Sequence, residues 1–243
     1  TGQGRFETRH GTGYSIFVRH SDQLDIELSQ TVDATDPIKC SRLLITNHGS
    51  ATRSLRVYGY VEWVLGNNRA RSAPFIVSAY DKASGMLSAS NRFSVEFEGR
   101  SAFLACNEPV SSFTSNRHNV LGDGTVWAPE AILAARALNN ETQSNGDPCA
   151  ALAVDITLAP GAHHEVVFML GDCASPAAAQ ALVTHHRLNG FDGLVHAARD
   201  QWDGILSHLQ VSTPDPAMDL LVNTWLPYQS IACRIRARSA FYQ

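Results

Sequence analysis

Residues 55–65 read Leu-Arg-Val-Tyr-Gly-Tyr-Val-Glu-Trp-Val-Leu, with apolar side chains at most odd positions. A period of two sustained over eleven residues puts alternate side chains on opposite faces of an extended chain. A helix cannot reconcile that spacing with a single buried stripe, so this segment is a β-strand with one face in a core. Tyr14-Ser15-Ile16-Phe17-Val18 and Leu24-Asp25-Ile26-Glu27-Leu28 are also short and strand-like, the second alternating. Ser41-Arg42-Leu43-Leu44-Ile45-Thr46 runs into the turn Asn47-His48-Gly49-Ser50. Further strands are expected over 73–80, 86–91, 94–98, 101–106, 151–158 and 164–170. Many short strands without intervening helices specify an antiparallel sandwich or barrel and exclude a doubly wound parallel sheet. Between them, 115–150 is irregular, rich in Asn, Gly and Asp, with one helix-like patch over 129–137. Such a segment is either a functional loop or a mobile one.

After residue 170 the period changes. Ser175-Pro176-Ala177 supplies a cap and a first-turn proline to an Ala-rich helix over 177–187. Phe191-Asp192 opens a second helix with Leu194, Val195, Ala198, Trp202, Ile205 and Leu209 at helical spacing. A third starts at Asp215-Pro216 and carries Leu220, Leu221, Thr224, Trp225, Tyr228, Ile231, Ala232 and Ile235. Pro227 must kink or interrupt it, because proline in a helix interior costs about 3 kcal/mol. The reading is therefore a β-sandwich over 1–172 and a helical linker over 173–243, with helices 192–209 and 216–240 as a connector. The last helix still has an apolar face where the sequence stops, and the first residue is Thr rather than Met. Both suggest a segment of a longer chain.

Composition removes several function classes. Nineteen basic against 23 acidic residues leave a net charge of −4, with no basic stripe to displace counterions, so nucleic acid is not an expected partner. No apolar run approaches the ~20 residues that span a bilayer, and the opening TGQGRFETRHG has no apolar signal core. Five cysteines at wide spacings, without a Cys-x-x-Cys pair, read as mostly buried free thiols in a reducing compartment. The expected location is the cytoplasm, as a soluble protein or as the cytosolic part of a membrane-anchored one.

No phosphate loop, dinucleotide fingerprint, nucleophile elbow or His-Glu-x-x-His helix occurs. His163-His164 and His185-His186 are adjacent pairs, and neither a strand nor a helix points neighbouring side chains at one ion, so they read as surface histidines. No metal site and no cofactor are expected. Asp25 with Glu27, and Glu96 with Glu98, share strand faces that suit a binding wall or an ordinary solvated face. Tyr58 and Tyr60 lie opposite Trp63, which leaves a carbohydrate-binding aromatic face and core packing both open. Residues 112–124 collect Ser115, Asn116, Arg117, His118, Asn119 and Asp123 on an expected flexible loop, a set suited to hydroxyl or phosphate recognition, or to a plain surface.

Larger motifs resemble glycoside hydrolase family 94. Arg5-Phe6-Glu7-Thr8-Arg9-His10-Gly11-Thr12-Gly13-Tyr14, Tyr60-Val61-Glu62-Trp63-Val64-Leu65-Gly66, Ala73-Pro74-Phe75 and the run from Asp215-Pro216-Ala217 to Leu226-Pro227-Tyr228-Gln229 occur in the family's order. The run from Cys233-Arg234-Ile235-Arg236 to Tyr242-Gln243 is similar to the family's entry into its catalytic barrel. Within the family the chain looks most like the phosphorylase-type region of bacterial cyclic β-1,2-glucan synthases. The resemblance implies a galactose mutarotase-like β-super-sandwich, linker helices and then an α/α barrel that holds a catalytic Asp. There phosphate attacks the anomeric carbon with inversion, in place of a base-activated water.

On that resemblance no catalytic residue lies in this chain, whose expected role is to scaffold the barrel and complete its carbohydrate wall. Its partners would be a β-glucan oligosaccharide with phosphate, the barrel, and a second copy in a homodimer. Residues 117–122 are similar to the family's Asp-Arg-x-x-Phe-Leu-Gly loop, with Asn116 in place of Asp and Val120 in place of Phe. The resemblance points to Arg117 first, then to Ser115, His118 and Asn119, as substrate-binding candidates. It assigns Tyr228, Gln229, Arg234 and Arg238 to packing against the barrel. Two other readings are an autonomous carbohydrate-binding module and a mutarotase-like sugar epimerase.

Overall fold

A computed structural model describes residues 4–93, 98–142 and 146–236. Among the described residues, eleven strands form two antiparallel sheets. The large sheet contains β1 (Arg5–Gly11), β2 (Tyr14–His20), β3 (Leu24–Val32), β4 (Ile38–Asn47), β6 (Ile76–Asp81), β7 (Met86–Asn91), β8 (Ser101–Cys106) and β11 (His163–Cys173). Its order is β1-β2-β3-β4-β11-β8-β7-β6. The small sheet is β5 (Arg53–Glu62), β10 (Pro148–Leu158) and β9 (Ser112–Asn116), with β10 in the middle. The alternating segment is β5, paired with β10 from Arg53↔Leu158 to Glu62↔Cys149.

The inner faces meet in a core that includes Ile45, Leu87, Leu104, Leu152, Val154, Ile156 and Val166, with Trp63 only 4% exposed. Trp63 is therefore core, while Tyr58 and Tyr60 face outward into a separate cluster. Gly59 lies between them, and a Cβ there would stand 2.3 Å from the Phe168 ring, so the two sheets approach this closely only with glycine in place. β8 is buried at all six positions: Ala102, Leu104 and Cys106 enter the inter-sheet core, and Phe103 and Ala105 the opposite side. That is why its sequence is a continuous apolar run rather than an alternating one.

The opposite side of the large sheet is covered by α4 (Pro176–Asn189) and α5 (Asp192–Leu206). Ser175 caps α4 by accepting from Ala178 N, with Pro176 at the first position. Ala179, Val183, Phe191 and Leu194 pack on Ile38, Cys40, Met86 and Met169. Farther along α5, Trp202 and Ala198 press close on Gly13, where a Cβ would come within 2.9 Å of the Trp202 ring and 3.3 Å of Ala198. Trp202 also meets the Tyr228 ring at 4.5 Å, so the last helical segment is tied to the sheet through α5.

That segment runs through α6 (Pro216–Leu220), a π-helical stretch (Leu221–Trp225), α7 (Leu226–Ser230) and a second π-helical stretch (Ile231–Arg236). Pro227 interrupts the α-helix as expected, by a specific device. The Leu226 N–H reaches back five residues to the Leu221 carbonyl, and the wider turn absorbs the proline without a break.

Several sequence expectations need correction. The strand expected over 73–80 begins at Ile76, because Asn68 caps a short α1 (Arg69–Ser72) and Pro74 lies in the 3-10 turn Ala73–Phe75. The loop expected over 112–124 is an ordered strand, β9, and a helix, α2 (Arg117–Leu121). The helix expected over 129–137 is shorter, α3 (Glu130–Leu133). His186 is buried, not on the surface, because it falls on the inward face of α4 with Val183 and Ala179. Of the strand expected over 94–98, residues 94–97 lie outside the described residues, and so do Glu96 and Arg238. None of the helices among the described residues is long and apolar enough to cross a membrane.

All five thiols are free, four buried and Cys233 exposed. Burial pushes Cys40, Cys106 and Cys149 up to about 12 and raises Cys173. Titration of the native chain with a disulfide reagent at pH 8 should find one fast thiol, Cys233, and four that react only on unfolding. Two or more fast thiols would contradict this packing.

Candidate functional site

The segment between β9 and β10 forms a lobe on the outer face of the small sheet. β10 makes this possible: Cys149, Ala151 and Ala153 point outward, and their small side chains let Val120, Leu121, Ala131 and Leu138 settle against the strand. Asn116 begins the lobe by accepting from the His118 N–H at 2.9 Å, a side-chain cap for α2. After α2 the chain reverses at Gly122, whose φ of +59° is a glycine conformation. A Cβ there would overlap the Glu130 carboxylate, which instead accepts from Asp123 N at 3.1 Å. A tight turn closed by Ala128 N donating to Thr125 O at 2.9 Å then presents Trp127 at 93% exposure.

An ion cluster anchors the lobe where it leaves the sheet. Arg117 Nε donates to Glu62 Oε1 at 2.7 Å, and its Nη1 lies 3.4 Å from Asp147 Oδ2. Arg69 makes the same two connections from α1, at 2.8 Å to Glu62 and 2.5 Å to Asp147. Tyr60 adds an O–H donated to Glu62 Oε1 at 2.7 Å. Two guanidiniums thus share two carboxylates, joining the end of β5, α1, α2 and the approach to β10. Partial burial pushes the Glu62 carboxyl up, but the Tyr60 and Arg117 hydrogen bonds and the Arg69 charge outweigh it and hold the group below its ordinary value. Tyr60 is raised by burial and by its bond to Glu62.

The four sequence candidates separate. Arg117, His118 and Asn119 are consecutive on α2, whereas Ser115 is on β9 and buried. Arg117 is committed to two carboxylates, so its first task here is to brace the lobe. Asn119 Oδ1 accepts from Asn139 N at 3.3 Å, which ties α2 to the returning chain. The His118 side chain is exposed. Glu62, Arg69 and Asp147 were not legible as a group, because Glu62 lies 55 residues from Arg117 and no local motif marks the pairing.

Other acidic groups also have partners. Asp25 meets His20 at 2.9 Å and His48 at 3.2 Å, and Glu27 meets Arg42 at 3.1 Å. Asp33, Asp36 and His186 bring potential ligand atoms within 4.8 Å of one another. Internal contacts occupy them: His186 Nε2 lies 3.1 Å from Asp36 Oδ2, and Asp33 Oδ1 accepts from Thr35 N and Asp36 N. The trio ties α4 to the β3–β4 turn.

The model of the glycosyl hydrolase 94 supersandwich domain matches residues 1–188. That of the glycosyl hydrolase 94 superfamily catalytic domain matches residues 201–243. The chain is 46% identical over 98% of its length to the cyclic beta-(1,2)-glucan synthase NdvB of Rhizobium meliloti (strain 1021), and spans 8% of that protein. It is 21% identical over 99% of its length to an N,N'-diacetylchitobiose phosphorylase of Vibrio proteolyticus, spanning 30% of it. A bacterial glucoamylase complexed with acarbose superposes with a TM-score of 0.57 at 9% identity, over 84% of this chain and 28% of that one. At that identity the likeness is one of fold.

The ion cluster makes a pH-dependent contribution with a definite sign. Because the folded Glu62 value lies below its unfolded one near 4.3, its stabilisation is present above that pH and is lost as pH falls through the folded value. Glu62→Gln should cost about 1 kcal/mol at pH 7, and the gap to the native chain should close between about pH 5 and pH 3. Urea unfolding across that range measures it; a pH-independent gap would contradict the charge assignment.

Proposed function

We propose, from the premise that this chain belongs to glycoside hydrolase family 94, that it is the sandwich and linker region of a β-glucan-processing enzyme of the inverting phosphorylase type. The carrying observation is the order of the two family matches: a supersandwich over 1–188, then the beginning of a catalytic-domain match at 201. On this reading the sandwich occupies 1–172 and the linker 173–243. The chain scaffolds the barrel and does not itself break the glycosidic bond.

Two features support scaffolding. The last helical segment keeps Leu220, Leu221, Leu226 and Ile235 between 45% and 76% exposed, an apolar set that a barrel would cover. Buttressed by the Glu62–Arg69–Arg117–Asp147 cluster, the lobe can place His118 and Asn119 at a carbohydrate wall without ordering a loop on binding. Arg117 would orient that wall and reach phosphate or sugar only by exchanging a carboxylate partner. Homodimerisation and a cytoplasmic location belong to the same reading, with β-glucan and phosphate as the ligands of the complete site.

The test is to incubate the chain with β-1,2-gluco-oligosaccharides and inorganic phosphate. We expect no glucose-1-phosphate. Its release by this chain, abolished by a substitution within it, would overturn the non-catalytic assignment.

A further inference from the structure

We infer that the sandwich carries a carbohydrate-binding cleft of its own, lined by none of Arg117, His118 or Asn119, where the outermost strands of the two sheets meet. Among the described residues, β6 is the last strand of the large sheet and β9 that of the small one, with Asn140 and Glu141 hydrogen-bonded along β9's outer side. Tyr80 on β6 and Phe113 on β9 close the gap by stacking, with ring centroids 3.7 Å apart and planes 14° from parallel. Beside them opens a cleft of about 790 Å³, within the range of small-molecule sites.

Its walls are held in advance of any ligand. Arg187 on α4 donates to the Ser84 carbonyl at 2.7 Å, and through Nε to the Cys106 carbonyl at 2.9 Å. One side chain therefore fixes the β6–β7 turn against the end of β8. Glu108 is held by His164 at 3.0 Å. Asn107 Oδ1 accepts from Val167 N at 2.7 Å, and Asn140 Oδ1 accepts from Phe113 N at 3.0 Å. With each carbonyl oxygen occupied, the amide nitrogens are the groups these residues have left to offer.

The chemistry selects the ligand class. The cleft combines an aromatic and aliphatic wall, Tyr80, Phe113 and Val110, with amide donors, the Lys82 ammonium, the Tyr80 hydroxyl and the Glu108 carboxylate. Lys82, Arg187 and Glu108 all line the cleft, and Arg187 commits its donors to the Ser84 and Cys106 carbonyls, so an anion would meet the Glu108 carboxylate and find no free guanidinium fork to grip it. Dispersed donors and an acceptor around an apolar wall suit a neutral polyhydroxylated ring. That it is a glucan ring rests on the proposed function above. The cleft would grip a segment of the glucan chain without acting on it.

The experiment is a titration of the ¹⁵N-labelled chain with β-1,2-gluco-oligosaccharide, followed by amide shifts. We expect saturable shifts at 80–85, 107–113 and Asn140. Lys82→Ala, which removes a side chain with no ion pair among the described residues, should weaken binding at least about tenfold, the equivalent of one hydrogen bond to a charged group. Tyr80→Phe keeps the stack and should weaken it less; thermal melting checks that both variants fold. Shifts confined to 117–138 would overturn the cleft while leaving the proposed function intact, and no shifts at ~10 mM sugar would overturn it as well. Glucose-1-phosphate release reports on the proposed function independently.

Discussion

Everything on the small-sheet side depends on one strand buried on both faces. Of the eleven residues of β10, only Asp155 and Thr157 reach solvent. Its large side chains, Leu152, Val154 and Ile156, point into the inter-sheet core; its small ones, Cys149, Ala151 and Ala153, point outward. A large residue on the inner face gains burial, about 0.8 kcal/mol per methylene. A small residue on the outer face gains proximity, because the lobe can lie close to the sheet and exclude water from Val120, Leu121 and Leu138. The same alternation that makes β10 a strand thus sets both the thickness of the core and the height of the lobe.

The ion cluster completes what packing begins. Apolar contact with flat alanines is non-directional and would let the lobe slide. Arg117 and Arg69 each reach both Glu62 and Asp147, which fixes α2 relative to the ends of β5 and β10. Partly exposed pairs of this kind add little stability one by one. Their contribution is register, so the exposed residues of the lobe, His118 and Trp127 among them, sit on a braced support.

The sandwich was legible because its signals are local. β5 announces itself by its period, β8 by an unbroken apolar run, α4 by Ser175 and Pro176, and the family by ordered motifs. The lobe was not legible, for a physical reason. Over 115–150 its own residues are polar and glycine-punctuated, and the core that orders them is borrowed from β10, Tyr58 and Tyr60. A segment that buries its few apolar residues against strands outside itself carries no periodicity to read. Arg117 stood out by likeness to a family motif, yet its carboxylate partners lie 55 and 30 residues away. The Tyr80–Phe113 cleft was equally hidden, since two outermost strands from different sheets create it.

The central claim is that the small-residue face of β10 holds the lobe in place independently of the sandwich core. Ala151→Leu adds bulk on that face alone, where Ala151 is 1% exposed, at an overpacking cost of about 1–3 kcal/mol. Amide hydrogen exchange of the native and substituted chains then decides the matter. The account predicts faster exchange confined to α2, α3 and residues 134–142, with β4, β8 and β11 unchanged. Acceleration spread equally over the large sheet, or none in the lobe, would contradict it.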